Sequence, residues 1–118
     1  MRKTSVLMLL IVALGMVAGC QRPEIHFELE PAVVSSCKQP VAVRANWDVT
    51  ALGLKRVRLE VNNIGRQPKV WAEGTTVGSE QTGAWAHDGF TVTLRAMNGV
   101  ELGRRTLTTV PCPGKDWL

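Results

Sequence analysis

The side chains able to do chemistry are few and scattered. His26, Glu28 and Glu30 recur at a spacing of two, which on a strand places all three on one face. An imidazole and two carboxylates so arranged could offer nitrogen and oxygen ligands to a metal. The same pattern is the charged, solvated face of an edge strand, where it discourages unwanted pairing, and that reading is the favoured one. His87-Asp88 sets an imidazole beside a carboxylate, the elements of acid–base work. No serine or cysteine nucleophile is tied to it by motif, and a polar turn accounts for both residues. With no Cys-x-x-Cys and no cofactor motif, the expectation is a protein that is not an enzyme and holds no metal or cofactor.

The basic residues carry more. Arg56, Arg58 and Arg95, with Arg104 or Arg105, fall on the outward phase of the strands proposed below, and Lys69 lies on an adjoining one. Glu28, Glu30 and Asp48 take the outward phase elsewhere, so one sheet would be basic and the other acidic. The guanidinium fork suits phosphate and carboxylate, so lipid A phosphates, peptidoglycan or an acidic protein face are candidate partners. The competing reading is an ordinary solvated face on which Glu60 and Glu101 pair some of these charges. Trp71 and Trp85 border loops and could stack on sugars or on a protein, although a small core also needs their bulk. Trp47 has inward phase and belongs to the core, and Trp117 lies in a tail.

The cysteines depend on what precedes them. Arg2 and Lys3 begin the chain, and Val6 to Val17 is apolar except for Gly15. This is shorter than the roughly 20 residues of a membrane span, and Gln21-Arg22-Pro23-Glu24 ends it abruptly. It reads as a cleaved signal peptide. Val17-Ala18-Gly19-Cys20 resembles the lipobox of bacterial lipoproteins at each of its four positions. The resemblance implies that Cys20 receives a diacylglycerol, that cleavage makes it residue one, and that its amine is then acylated, for example by palmitate. The alternatives are an uncleaved anchor or a plain signal with an incidental cysteine. Each buried methylene contributes about 0.8 kcal/mol, so several chains hold a small domain on a bilayer durably. Gln21 replaces the Asp that resembles an inner-membrane retention signal in enteric bacteria, which leans towards the outer membrane.

The implied organisation is a signal peptide at 1–19, a lipidated terminus and linker at 20–24, one domain at 25–112 and a tail at 113–118. The mature chain of about 100 residues suffices for one domain and not two. The formal charge of +4 includes Arg2 and Lys3, so the domain itself is only weakly basic and nucleic acid is an unsuitable partner. With the Cys20 thiol consumed by lipid, Cys37 and Cys112 remain, and in an oxidising compartment they most economically form one disulfide, the alternative being two free thiols.

The elements that must position these residues are strands. Ile25, Phe27 and Leu29 alternate with polar neighbours until Pro31, and Ala32 to Val34 can resume pairing. Val41 to Val49 alternates with Val43, Ala45, Trp47 and Val49 inward, and Val57, Leu59 and Val61 repeat the pattern. Short strands are expected over Lys69 to Glu73 and Thr82 to Trp85, with Gly74 to Gly83 the least regular part. Phe90 to Ala96 leads through Asn98-Gly99, the signal of a type I′ hairpin, to a return strand over 100–110. The phase slips within that strand, and Gly103 is the expected bulge.

Seven strands with turns between them predict an all-β, two-sheet antiparallel sandwich. If strands alternate in direction, Cys37 and Cys112 meet at one pole and the lipid end joins the other. Trp47, Thr82-Gly83-Ala84-Trp85 and Phe90-Thr91-Val92-Thr93-Leu94 with its hairpin resemble an immunoglobulin-like or fibronectin type III-like domain over residues 25 to 112. The cysteines do not match the antibody bridge between the second and sixth strands, and the chain has no tyrosine. Many functions share this fold. The expectation is a lipid-anchored, non-enzymatic envelope module of a Gram-negative bacterium, accessory to a larger assembly or binding an anionic envelope polymer. The alternative is an inhibitor of an envelope-targeting enzyme such as a lysozyme, inserting 74–83 or 62–68 as its loop.

Overall fold

The computed structural model describes residues 24–113, so the expected signal peptide, the expected lipidation site Cys20, and Trp117 lie outside the described residues. The described chain is all-β with two short 3-10 turns. Its strands are β1 (His26–Glu30), β2 (Val33–Ser35), β3 (Arg44–Asp48), β4 (Val57–Asn63), β5 (Lys69–Gly74), β6 (Val77–Gln81), β7 (Phe90–Ala96), β8 (Glu101–Thr106) and β9 (Thr108–Val110). Two antiparallel sheets, β1-β3-β6 and β5-β4-β7-β8, enclose the core, and β2 and β9 form a separate parallel pair.

Period-two alternation builds the two inner faces. Phe27, Leu29, Val43, Ala45 and Trp47 come from one sheet, Val57, Leu59, Val92 and Leu94 from the other. Each fully buried large apolar side chain contributes about 1.5–3 kcal/mol, enough in sum to offset the ordering of strands too short to persist alone. Asp48 ends β3 by accepting from the backbone N–H and the hydroxyl of Thr50, at 3.1 and 2.8 Å. Those two bonds, the backbone one first, hold its pKa below the usual carboxylate value. The contribution is therefore present at neutral pH and disappears as pH falls through the lowered pKa.

Nine strands replace the seven expected, because the outer two each divide. Pro31 interrupts the first, and the chain resumes as β2. Leu107, fully buried, separates β8 from β9; its N–H still donates to Phe90 O at 2.8 Å before the next residue donates to Ala32 O. A second correction concerns 74–83. The strand expected over Thr82 to Trp85 lies instead at β6, Val77–Gln81, and Thr82 to Trp85 is a turn. Sequence pattern failed here because Gly78 occupies the inward phase opposite Trp47, where an apolar residue would normally mark a strand. An ideal Cβ on Gly78 would lie 2.6 Å from Trp47 Cζ2, so the missing side chain is the space the indole fills.

The β7–β8 hairpin forms where Asn98-Gly99 predicts it, with a different turn. Only Gly99 has positive φ, at 96°, and Ala96 pairs with Val100 across a three-residue loop. This is a type I turn followed by a left-handed glycine rather than type I′. Leu102 is the extra residue of the bulge, which brings Gly103 opposite Leu94.

Cys37 and Cys112 are bonded, with Cα atoms 5.4 Å apart. They sit at the pole that also holds the 63–68 and 82–89 turns. The described chain starts at the other pole, where His26 pairs with Asp48.

Candidate functional site

The outward face of the larger sheet carries Arg58 and Glu60 on β4, Arg95 on β7, and Glu101 and Arg104 on β8. These charges satisfy one another. Glu60 bridges Arg58 Nε at 3.3 Å and Arg95 Nε at 2.8 Å, and Glu101 accepts from Arg104 at 2.7 Å. The Arg58 contact is off the N–H axis, so that buried nitrogen has no true hydrogen bond. Arg95 also donates to Gly99 O at 3.0 Å, which leaves its guanidinium little to offer a ligand. The network spreads over buried Thr91 and Thr93. Glu60 is only 15 % exposed while holding two guanidiniums. Glu60→Gln is expected to cost about 2 kcal/mol, because the ion pairs with both guanidiniums lose their charge and the Arg95 hydrogen bond keeps only a neutral amide acceptor in a largely buried setting. A thermal melt of the purified variant checks this, and an unchanged midpoint would show that solvent already screens the network.

The other arginines go elsewhere. Arg56 precedes β4 and is exposed at the pole where the described chain begins. Arg105 opposes Val92, so the bulge has turned it inward. Its guanidinium spans the open edge between the sheets, donating to Phe27 O at 2.9 Å and lying 5.5 Å from the Phe27 ring centroid. Arg105 therefore fastens β8 to β1 and is not part of the outward face. Lys69 opposes Val61, a residue packed on the core, and points along the inward phase at the sheet's end.

His26, Glu28 and Glu30 are all exposed on β1, and His26 lies 3.6 Å from Glu24. Among the described residues no group of three metal-ligating side chains could hold an ion. Asp88 is occupied by structure: its carboxylate accepts from Thr109 N–H at 3.0 Å, and its own N–H donates to Gln39 at 2.8 Å. His87 is exposed beside it. Of the two segments expected to serve an inhibitor as its loop, 74–83 contains β6, and so does not protrude as a loop; in 62–68, Asn62 and Asn63 end β4 and only 64–68 is a turn.

That turn borders the candidate site, which sequence reasoning located only in fragments. An open groove of about 480 Å³ lies at the disulfide pole between the β4–β5 turn and the 82–87 segment. Its floor is Val61 and buried Phe90, one wall is Trp85, and Arg66, Gln67 and Lys69 form the rim. Phe90 stands edge-on to Trp85 at 5.5 Å and 90°, and to Trp71 at 6.5 Å and 78°. Trp71, the extra residue of the β5 bulge, packs against the core, whereas Trp85 is 52 % exposed. Trp85 folds over Gly83, where an added Cβ would meet its Cδ1 at 2.8 Å. The rim is tied down as well. Arg66 N–H donates to Asn63 O at 2.9 Å around Gly65 at φ 85°, and the Asn62 amide donates to Asn63 O at 3.0 Å. Arg66 and Lys69 make no ion pair among the described residues, and no carboxylate lines the groove.

Arg66 escaped sequence reasoning because it sits in a turn with no periodicity, and its proximity to Trp85 depends on strands distant in the chain. The chemistry available is recognition: an aromatic face, side-chain amides and two cations around an apolar floor. No protein-family model, no curated protein and no solved structure matches the chain.

Proposed function

We propose that this chain is a lipid-tethered, non-enzymatic binding module of the Gram-negative envelope, anchored through Cys20 and presenting the disulfide pole to its partner. The observation that carries the reading is polar geometry. The described chain starts at one end of the sandwich, and the groove with Trp85 lies at the other. Only four residue steps separate Cys20 from Glu24, a reach of about 14 Å, so a lipid there would hold the first pole near the bilayer. The groove would then face away from it. The Cys37–Cys112 bridge supports an oxidising compartment, and Gln21 favours the outer membrane. The distribution of three strands against four, with β2 and β9 as continuations of β1 and β8, supports the immunoglobulin-like or fibronectin type III-like reading.

The partner is an anionic envelope polymer or a larger envelope assembly, met by the groove rather than by Arg58, Arg95 and Arg104, which are engaged with Glu60 and Glu101. Mass spectrometry of the mature protein tests the address. The expected product begins at Cys20 and carries acyl chains, and Cys20→Ser leaves the leader uncleaved. An unmodified cysteine, or cleavage elsewhere, would remove the tether from the reading.

A further inference from the structure

The groove's chemistry specifies more than a surface. We infer that it binds an acidic saccharide, with Trp85 under a sugar ring and Arg66 and Lys69 holding the sugar's anionic substituent. This rests on the reading of the chain as a binding module. Three observations converge. Trp85 offers an exposed indole whose placement is set by Phe90 behind it and by close approach to Gly83 beneath it. Rigid aromatic planes bind pyranose rings because a sugar's C–H face is apolar and its rim is polar; little side-chain entropy is lost when the plane is already held. Gln67 and Asn63 supply amides along the same groove, groups that both donate to and accept from hydroxyls, and Asn62, whose NH2 is spent on Asn63 O and Arg66 O, can still accept through Oδ1.

The third observation is charge. Outside this groove, the arginines of the large sheet are neutralised or turned to structural work. Here two cations lie within three residues on one rim, without a lining carboxylate. A neutral glycan would leave both without a counter-charge; an aliphatic or aromatic ligand would make no use of the amides. A ring bearing one carboxylate or phosphate satisfies every part. The volume of about 480 Å³ suits one or two sugar rings.

The test is calorimetric titration of the detergent-solubilised full-length protein with three probes. They are the disaccharide of N-acetylglucosamine and N-acetylmuramic acid, neutral chitobiose, and glucosamine 1-phosphate. The acidic disaccharide is expected to bind at least tenfold more tightly than chitobiose, with a preference that shrinks as salt is raised. Comparison with the phosphate probe shows which anion the rim prefers. Arg66→Ser with Lys69→Ser should erase the preference, so that within that variant the acidic disaccharide and chitobiose bind equally. Trp85→Ala should weaken both disaccharides at least tenfold. Thermal melts establish that each variant is folded, and the rim variant, being wholly on the surface, keeps the test decisive if Trp85→Ala is not. Equal affinity for acidic and neutral disaccharides, or no binding of any probe, overturns the inference. In that event, capture of an envelope partner that is lost in the rim variant would leave the binding-module reading standing. Capture indifferent to the rim would remove the groove from it as well.

Discussion

Replacing Cys37 and Cys112 together with serine is expected to lower the unfolding free energy by about 4 kcal/mol. The bridge joins residues 75 apart in sequence, so its absence frees a long loop in the unfolded chain. Total stability of a domain this size is about 5–15 kcal/mol, which makes the loss a large fraction of it. The folded state suffers locally too. Ser35 and Val110 end the parallel β2–β9 ladder just before the bridged residues, and that ladder is three residue pairs long. Ser36 Oγ lies 3.2 Å from Cys112 Sγ, a contact that depends on the same closure. Amide exchange in β9 should therefore accelerate before exchange in β4 or β7, which form the centre of the larger sheet. Denaturant titration measures the effect, and reduction of the wild-type protein should reproduce it with a steeper transition, because the uncrosslinked chain exposes more surface. An unchanged midpoint in both experiments would show that the loop is already constrained without the bridge.

Gly78→Ala is expected to cost about 2–3 kcal/mol although it adds one methyl group. The new carbon would lie 2.6 Å from Trp47 Cζ2 and 3.1 Å from Cε2, inside any permissible contact. The indole has nowhere to go. It is 6 % exposed, packed within the core, and fixed by donation from Nε1 to Thr75 O at 2.9 Å. Gly74→Ala is the matched control, since its Cβ would touch the same ring at an ordinary 3.5 Å. It should change stability by less than about 0.5 kcal/mol, the range of substitutions that disturb no special feature. Combining Gly78→Ala with Trp47→Phe should cost less than the two single changes added, because the smaller ring vacates the contested volume. Strict additivity in that cycle would show that backbone propensity, and not the clash, explains the glycine.

Much of the molecule was legible in the chain alone because its causes are local. Alternation of apolar and polar residues identifies β1, β3, β4 and β7 and the inward side chains of each, since a strand's two faces repeat every second residue. Pro31 ends a strand and Asn98-Gly99 reverses the chain by their own dihedral preferences. Even the pairing of Cys37 with Cys112 followed from counting cysteines, and alternating strand directions agreed with it. Tertiary structure alone decided whatever depends on register between distant strands. The bulge at Leu102 reversed the face of Arg105, and the β4–β7 register set Arg95 against Glu60, whereas Arg58 and Arg104 meet carboxylates of their own strands. β6 was hidden because its key inward position holds the absence of a side chain, meaningful only beside Trp47. The groove joins turns more than a dozen residues apart, so no local pattern announces it. Periodicity belongs to one strand, whereas a site belongs to the space between several.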